Sequence, residues 1–162
     1  MKYIIISAIA IIVIFLAVLS QIPIGIEPLT EVYFENHTAL PSNVFLNKNY
    51  NFSFTIHNLE YQDMLYAYTI NALDVNDSLI SEVGNEQIIL FNNESKTIFQ
   101  SFSFKNHFDR SKIQIIINKT MVGEEPKFRT KLWWPDPNIG NQIDIHFWVD
   151  EIRGTTITIV PD

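Results

Sequence analysis

The chain has 162 residues, no cysteine, 11 basic and 18 acidic side chains, and a formal charge of −7. Without cysteine there can be no disulfide, thiolate metal site or cysteine nucleophile. The acidic balance also argues against nucleic acid, whose phosphates it would repel.

The first element decides which solvent the rest of the chain meets. Tyr3 to Ser20 is uncharged, and twelve of its 18 residues are Ile, Leu, Val or Phe. As a helix rising about 1.5 Å per residue it reaches about 27 Å, close to the thickness of a bilayer's hydrocarbon core. Lys2 precedes the run, while Glu27, Glu31 and Glu35 follow it. The positive-inside rule then places the amino terminus in the cytoplasm and the remainder outside. The expected arrangement is a single-pass membrane anchor and tether over residues 1–26 and an extracytoplasmic domain over residues 27–162. The alternative is a signal peptide cleaved near Ser20, where Val18-Leu19-Ser20 leaves small residues at a possible cut, which would make the protein secreted. The length of the run, and the continuation through Ile22, Ile24 and Ile26, favour a retained anchor. Either way the domain is exported, and with Lys2 set aside it carries 10 basic against 18 acidic residues. About 136 residues suit one domain.

Pro23, Gly25 and Pro28 end any helix and mark the tether. After them the pattern changes to the alternation of half-buried strands. Expected strands are Leu29–Glu35, Tyr50–His57, Met64–Leu73, Ile88–Phe91, Thr97–Phe104, Lys112–Asn118, Ile143–Val149 and Thr155–Val160. In the second, Tyr50, Phe52, Phe54 and Ile56 take the core face, and Asn51, Ser53, Thr55 and His57 the polar face. Met64, Tyr66, Tyr68 and Ile70 point inward in the third. Turns are expected at Leu40–Asn43, Asp74–Ser78, Gly84-Asn85, Asn92-Asn93, Asn106–Asp109 and Arg153-Gly154. Short alternating strands without intervening helices indicate an all-β fold, an immunoglobulin-like antiparallel β-sandwich of about seven or eight strands behind one N-terminal helix.

Five of the 15 asparagines begin Asn-x-Ser/Thr triplets: Asn36, Asn51, Asn76, Asn93 and Asn118. With 20 serines and threonines, chance would give about two. The excess suits an exported N-glycoprotein, since the triplet is read only outside the cytoplasm, although an asparagine-rich chain also produces such triplets by composition. All five fall in expected turns or on outward strand positions.

Lys119–Gln142 lacks alternation and reads as an inserted loop. It holds Lys119, Lys127, Arg129 and Lys131, then Trp133-Trp134-Pro135-Asp136-Pro137. Trp133, Trp134, Lys131 and Arg129 are the candidate partner or ligand contacts, because adjacent aromatics beside cations can stack on sugars or anchor a protein. Packing of the two tryptophans is the plainer alternative.

No nucleophile elbow, zinc-binding His-Glu-x-x-His or phosphate-binding glycine loop occurs. His37, His57, His107 and His146 are scattered rather than clustered. Asp74-x-Asn76-x-Ser78 begins like a calcium loop, but Leu79 stands where glycine is required and Asn85 where the bidentate glutamate belongs. The expected protein is not an enzyme and needs no metal or cofactor. It is a membrane-anchored cell-surface module with a structural or protein-interaction role. Its partner is an unknown surface protein or glycan and it binds no nucleic acid. Alternatives are a carbohydrate- or ligand-binding module using Trp133 and Trp134, or a filament or envelope subunit that homo-oligomerises through sheet edges.

Several short patterns resemble a family of archaeal membrane proteins of unknown function, in which transmembrane helices are joined to an extracytoplasmic immunoglobulin-like domain. They are Leu29-Thr30-Glu31-x-Tyr33, Leu40-Pro41, Phe54-x-Ile56-x-Asn58-x-Glu60 leading to Tyr66-x-Tyr68-Thr69, the isoleucine strand Lys112–Asn118, and His146-Phe147-Trp148-Val149. The resemblance implies an exported sandwich and supplies no catalytic residues. This chain departs from the family in having one membrane helix where several are usual, and in its long aromatic loop.

Overall fold

A computed structural model describes residues 2–19, 28–123 and 141–154. Helix α1 (Lys2–Leu19) and the β-domain are separate bodies. In α1 the side chains of residues 9–17 are described, and Ile9, Ile11, Ile12, Val13, Ile14, Phe15 and Leu16 are all more than half exposed. Successive residues advance about 100°, so these side chains cover the whole circumference of the helix. Among the residues described with their side chains, no helix is long and apolar enough to cross a membrane.

The β-domain contains β1 (Leu29–Phe34), β2 (Asn43–Val44), β3 (Tyr50–Leu59), β4 (Met64–Leu73), β5 (Leu79–Leu90), β6 (Ser95–Phe102), β7 (Arg110–Met121) and β8 (Gln142–Glu151). They form a three-stranded sheet in the order β1-β3-β6 and a five-stranded sheet in the order β2-β8-β7-β4-β5. Every pairing is antiparallel except that of β2 with β8. The chain crosses from one sheet to the other between β1 and β2. This is the strand arrangement of an immunoglobulin-like sandwich.

Alternation generates the core. Phe52, Phe54, Ile56, Ile98 and Phe102 of the smaller sheet meet Tyr66, Tyr68, Ile70, Ile113, Ile115, Ile117, Phe147 and Val149 of the larger one, all buried. The seam is aromatic: Phe54 lies edge-on to Tyr68 at 5.6 Å, Phe52 to Phe147 at 5.2 Å and Phe34 to Phe147 at 5.4 Å. Each such pair adds about 0.5–1.5 kcal/mol beyond area burial.

Seven expected strands are present, Met64–Leu73 to the residue and the others with shifted ends, and three local readings require correction. Gly84-Asn85 is not a turn but lies within β5, which starts at Leu79 rather than Ile88. The ladder with β4 shifts register between Ile70 opposite Gly84 and Asn71 opposite Glu82, so a bulge absorbs the irregularity without ending the strand. Because β5 is an edge strand with most of its residues exposed, its alternation is faint in the sequence. Lys119 is no part of a loop: β7 runs to Met121, and β8 begins at Gln142. Thr55, assigned to the polar face, is 3% exposed because Glu35 and Thr97 cover it with hydrogen bonds. Strand β2, in a segment expected to turn, brings the number to eight among the described residues, while Thr155–Val160 lies outside them.

Phe54 is fully buried at the centre of the seam. Phe54→Ala is expected to lower unfolding free energy by about 3–5 kcal/mol in denaturant titration, with the β-sheet circular dichroism retained at low denaturant.

Candidate functional site

Each end of the sandwich carries a polar cluster. Leu29 of β1 pairs with Leu59 of β3, so the chain coming from α1 joins the domain at the end that also holds the β3–β4 and β5–β6 turns. At this tether end Asn58 is completely buried. Its Nδ2 donates to the carbonyls of Gln62 (2.8 Å), Leu90 (2.9 Å) and Phe91 (3.1 Å), and its Oδ1 accepts from the Glu60 N–H at 3.0 Å. A fully satisfied amide of this kind fixes two turns against each other. Beside it Glu60, 7% exposed, accepts from Lys119 Nζ at 2.5 Å and from Thr30 Oγ1 at 2.8 Å. Thr30 in turn is 3.0 Å from the Tyr66 hydroxyl. Burial pushes the Tyr66 hydroxyl up to about 12, with the Thr30 hydrogen bond opposing and the Glu60 charge adding to the rise.

At the far end the Glu151 carboxylate, its side chain 2% exposed, accepts from the Phe108 N–H at 2.9 Å and lies 2.5 Å from His107 Nδ1 and 3.6 Å from Arg153 Nε. Burial alone would raise its pKa. The Phe108 and His107 hydrogen bonds and the charges of His107 and Arg153 outweigh burial and hold it below the usual carboxylate range. Nearby on the outer face of β7 and β8, Arg110 lies 5.0 Å and Lys112 6.0 Å from the Trp148 ring centre, and His146 stands edge-on to that ring. In the β4–β5 turn Asp74 Oδ1 accepts the N–H groups of Asn76 (2.7 Å) and Ser78 (2.8 Å). Asp74 is thus a turn carboxylate, occupied by backbone donors.

The free edges of β5 and β6 part around an open groove of about 380 Å3, lined by Ile80, Val83, Phe102 and Phe104 among others. The β5 edge shifts register twice against β4, between Ile70 and Asn71 and between Ala72 and Leu73, which makes it a poor template for another strand.

The sequence-derived candidates fall into two groups. Asn36, Asn51, Asn76, Asn93 and Asn118 are all exposed, three in turns and two on outward positions of β3 and β7. They are dispersed over both sheets and do not form one site. Trp133, Trp134, Lys131 and Arg129 lie outside the described residues. Among the described residues no three His, Asp or Glu side chains gather as metal ligands. The sequence reading passed over both polar clusters. The trace of the first was present in Glu60, just past β3, and Lys119, near the end of β7, opposite charges beside strongly alternating runs.

No family model matches the chain, and no curated protein matches it. The resemblance to the archaeal membrane-protein family therefore rests on the sequence pattern alone. Among solved structures the chain is similar to one chain of the complex between zinc 2-glycoprotein and prolactin inducible protein from human seminal plasma, at 10% identity and a TM-score of 0.52, over 80% of this chain and 99% of that one. It also resembles a CARDB domain from Pyrococcus furiosus in complex with two metal ions, at 16% identity and a TM-score of 0.46, over 77% and 94%. A third likeness is a PapD-like domain of human CEP192, at 7% identity and a TM-score of 0.42, over 80% and 89%. At 10% identity the first of these likenesses shows the fold alone.

Breaking the dry ion pair should cost more than removing it. Lys119→Met strands the Glu60 charge and is expected to destabilise by about 3–5 kcal/mol, whereas adding Glu60→Gln should restore much of that loss in a double-mutant cycle. At the far end, the unfolded Glu151 carboxyl takes up its proton in the ordinary carboxylate range while the folded one resists to lower pH. The stabilisation is therefore present above that range and is lost as pH falls through it. Glu151→Gln should flatten this acid limb in thermal melts recorded across pH, and leave the alkaline limb unchanged.

Proposed function

We propose that the protein is a non-enzymatic, membrane-anchored surface protein, with α1 spanning the bilayer once and the immunoglobulin-like sandwich held outside as a structural or protein-interaction module. The observation that carries this reading is the uniformly apolar circumference of α1 over residues 9–17, exposed on every side. A helix that is apolar all round needs either a protein core or a lipid solvent around it. With the apolar residues that flank it, the Tyr3–Ser20 run has the length for lipid. N-glycosylation at the five exposed sequon asparagines belongs to the same reading, since it requires the domain to be exported. A sandwich with an apolar seam and no disulfide is a self-sufficient scaffold, and immunoglobulin-like domains commonly serve as interaction modules. The archaeal family resemblance points the same way.

Two lysines in the middle of α1 test the anchor. Each cation at a helix centre opposes insertion by about 2.5–3.5 kcal/mol. The wild-type chain should remain in the membrane pellet after alkaline carbonate extraction, and Ile12→Lys combined with Phe15→Lys should move it to the supernatant. A wild-type chain released by carbonate would overturn the reading.

A further inference from the structure

Phe99 (79%) and Phe91 (64%) are the two most exposed large apolar side chains among the described residues of the β-domain, and each lies beside the asparagine of an Asn-x-Ser triplet. Phe99 of β6 stands opposite Ser53 of β3, and the next outward pair along the same two strands is Ser101 opposite Asn51. Phe52, Phe54, Ile98 and Phe102 point into the core, so Asn51, Ser53, Phe99 and Ser101 all point out of the three-stranded sheet. Asn51 and Phe99 are thus diagonal neighbours about 7–8 Å apart, a separation that aromatic and long side chains bridge. Phe91 and Asn93 share the β5–β6 turn, which closes with the Glu94 N–H donating to the Phe91 carbonyl at 3.0 Å and holds Asn93 at φ +64°.

Given the glycosylation proposed above, we propose that the Phe99 ring is the seat of the first sugar of an N-glycan on Asn51, and that Phe91 serves the Asn93 glycan in the same way. Glycosylation then stabilises the sandwich instead of merely decorating it.

The surroundings of the ring select this occupant. A pyranose combines an apolar face of C–H groups with a rim of hydroxyls, and its C–H groups are attracted to the negative face of an aromatic ring. Phe99 offers such a face among polar neighbours: Ser53 lies across the ladder, Thr97 and Ser101 lie two residues to either side, and Thr97 Oγ1 donates to the Glu35 carboxylate at 3.3 Å. The other exposed ring on this side of the sheet, Tyr33, is two strands away, with Thr55 and Thr97 in line between the two edges. A single ring among hydroxyls suits a sugar, whereas the core of a protein interface is a contiguous apolar patch. A strand added to the β6 edge would also leave Phe99 bare, because the side chain stands perpendicular to the sheet and not along its plane. Asn51 supplies the ligand at the right place, since a sugar on its Nδ2 extends the side chain over the diagonal neighbour.

The full-length chain is produced in yeast, whose N-glycans are linked through N-acetylglucosamine, and trimmed with an endoglycosidase to that single linking sugar. Thermal unfolding is compared for wild type, Phe99→Thr, Asn51→Gln and the double variant, with occupancy of Asn51 read by glycopeptide mass spectrometry. Phe99 is exposed and threonine suits a strand, so the variants fold. Loss of the Asn51 sugar is expected to lower Tm by about 4 °C when Phe99 is present and hardly at all when threonine replaces it. Nuclear Overhauser contacts between sugar protons and the Phe99 ring should accompany the first case. The second pair is tested with Phe91→Thr and with Ser95→Ala, which removes the triplet while leaving Asn93 at its positive φ, and each pair stands or falls on its own cycle. An occupied Asn51 whose loss costs the same with and without Phe99 would overturn the docking and leave the glycoprotein reading standing. An Asn51 that carries no sugar would remove both at that site. Self-association in sedimentation that disappears in Phe99→Thr would assign the ring to a second copy, and would also overturn the proposal.

Discussion

The sandwich depends on how closely its two sheets interlock, because the chain has no covalent cross-link to fall back on. Immunoglobulin-like domains of antibodies join their sheets by a disulfide packed against a tryptophan. Here the seam is filled instead by Phe52, Phe54 and Phe102 from one sheet and Tyr68 and Phe147 from the other, in edge-to-face and tilted contacts. Rings are large and rigid, so each ordered side chain buries much apolar area at a low entropic cost. Three isoleucines of β7, Ile113, Ile115 and Ile117, all fully buried, form the aliphatic backing of that layer.

Apolar packing is non-directional, and the register of the strands is reinforced by polar groups at the two ends. At the tether end Asn58 ties the β3–β4 turn to the end of β5, while the Glu60–Lys119 pair joins β3 to β7 and, through Thr30, to β1. At the far end Glu151 binds the β6–β7 connection to the end of β8. These groups are costly to bury and are therefore hydrogen-bonded throughout. A slip of one residue in any of the strands they join would turn its core face outward and leave the carboxylates without donors. The polar clusters thus serve the fold's specificity, and the surfaces remain for other roles.

The strands with one buried face were legible in the sequence. Met64–Leu73 alternates cleanly because it is a central strand, and its boundaries agree with β4 to the residue. Strand β5 was read only from Ile88 onward, since an exposed, twice-bulged edge strand has little reason to alternate. Strand β2 is two residues long and is created by pairing with β8, a contact that no local pattern announces. The exposed positions of the five sequon asparagines followed from alternation and turn chemistry. The buried ion pair did not, because Glu60 and Lys119 are 59 residues apart and only the β4-centred register brings them together. The tryptophan pair and the predicted last strand fall outside the described residues, so for them the sequence reading stands by itself.

The apolar circumference of α1 over residues 9–17 and the five exposed sequons bear on one proposal about place, that the chain is anchored by α1 with its domain outside. Intact mass of the protein purified from membranes of its native host, before and after removal of glycans, tests both halves together. The account predicts a mass that includes residues 1–20 and falls by the mass of the attached glycans on deglycosylation. A mass beginning at Gln21, or one that is unchanged by deglycosylation and equal to that of the bare chain, would contradict it.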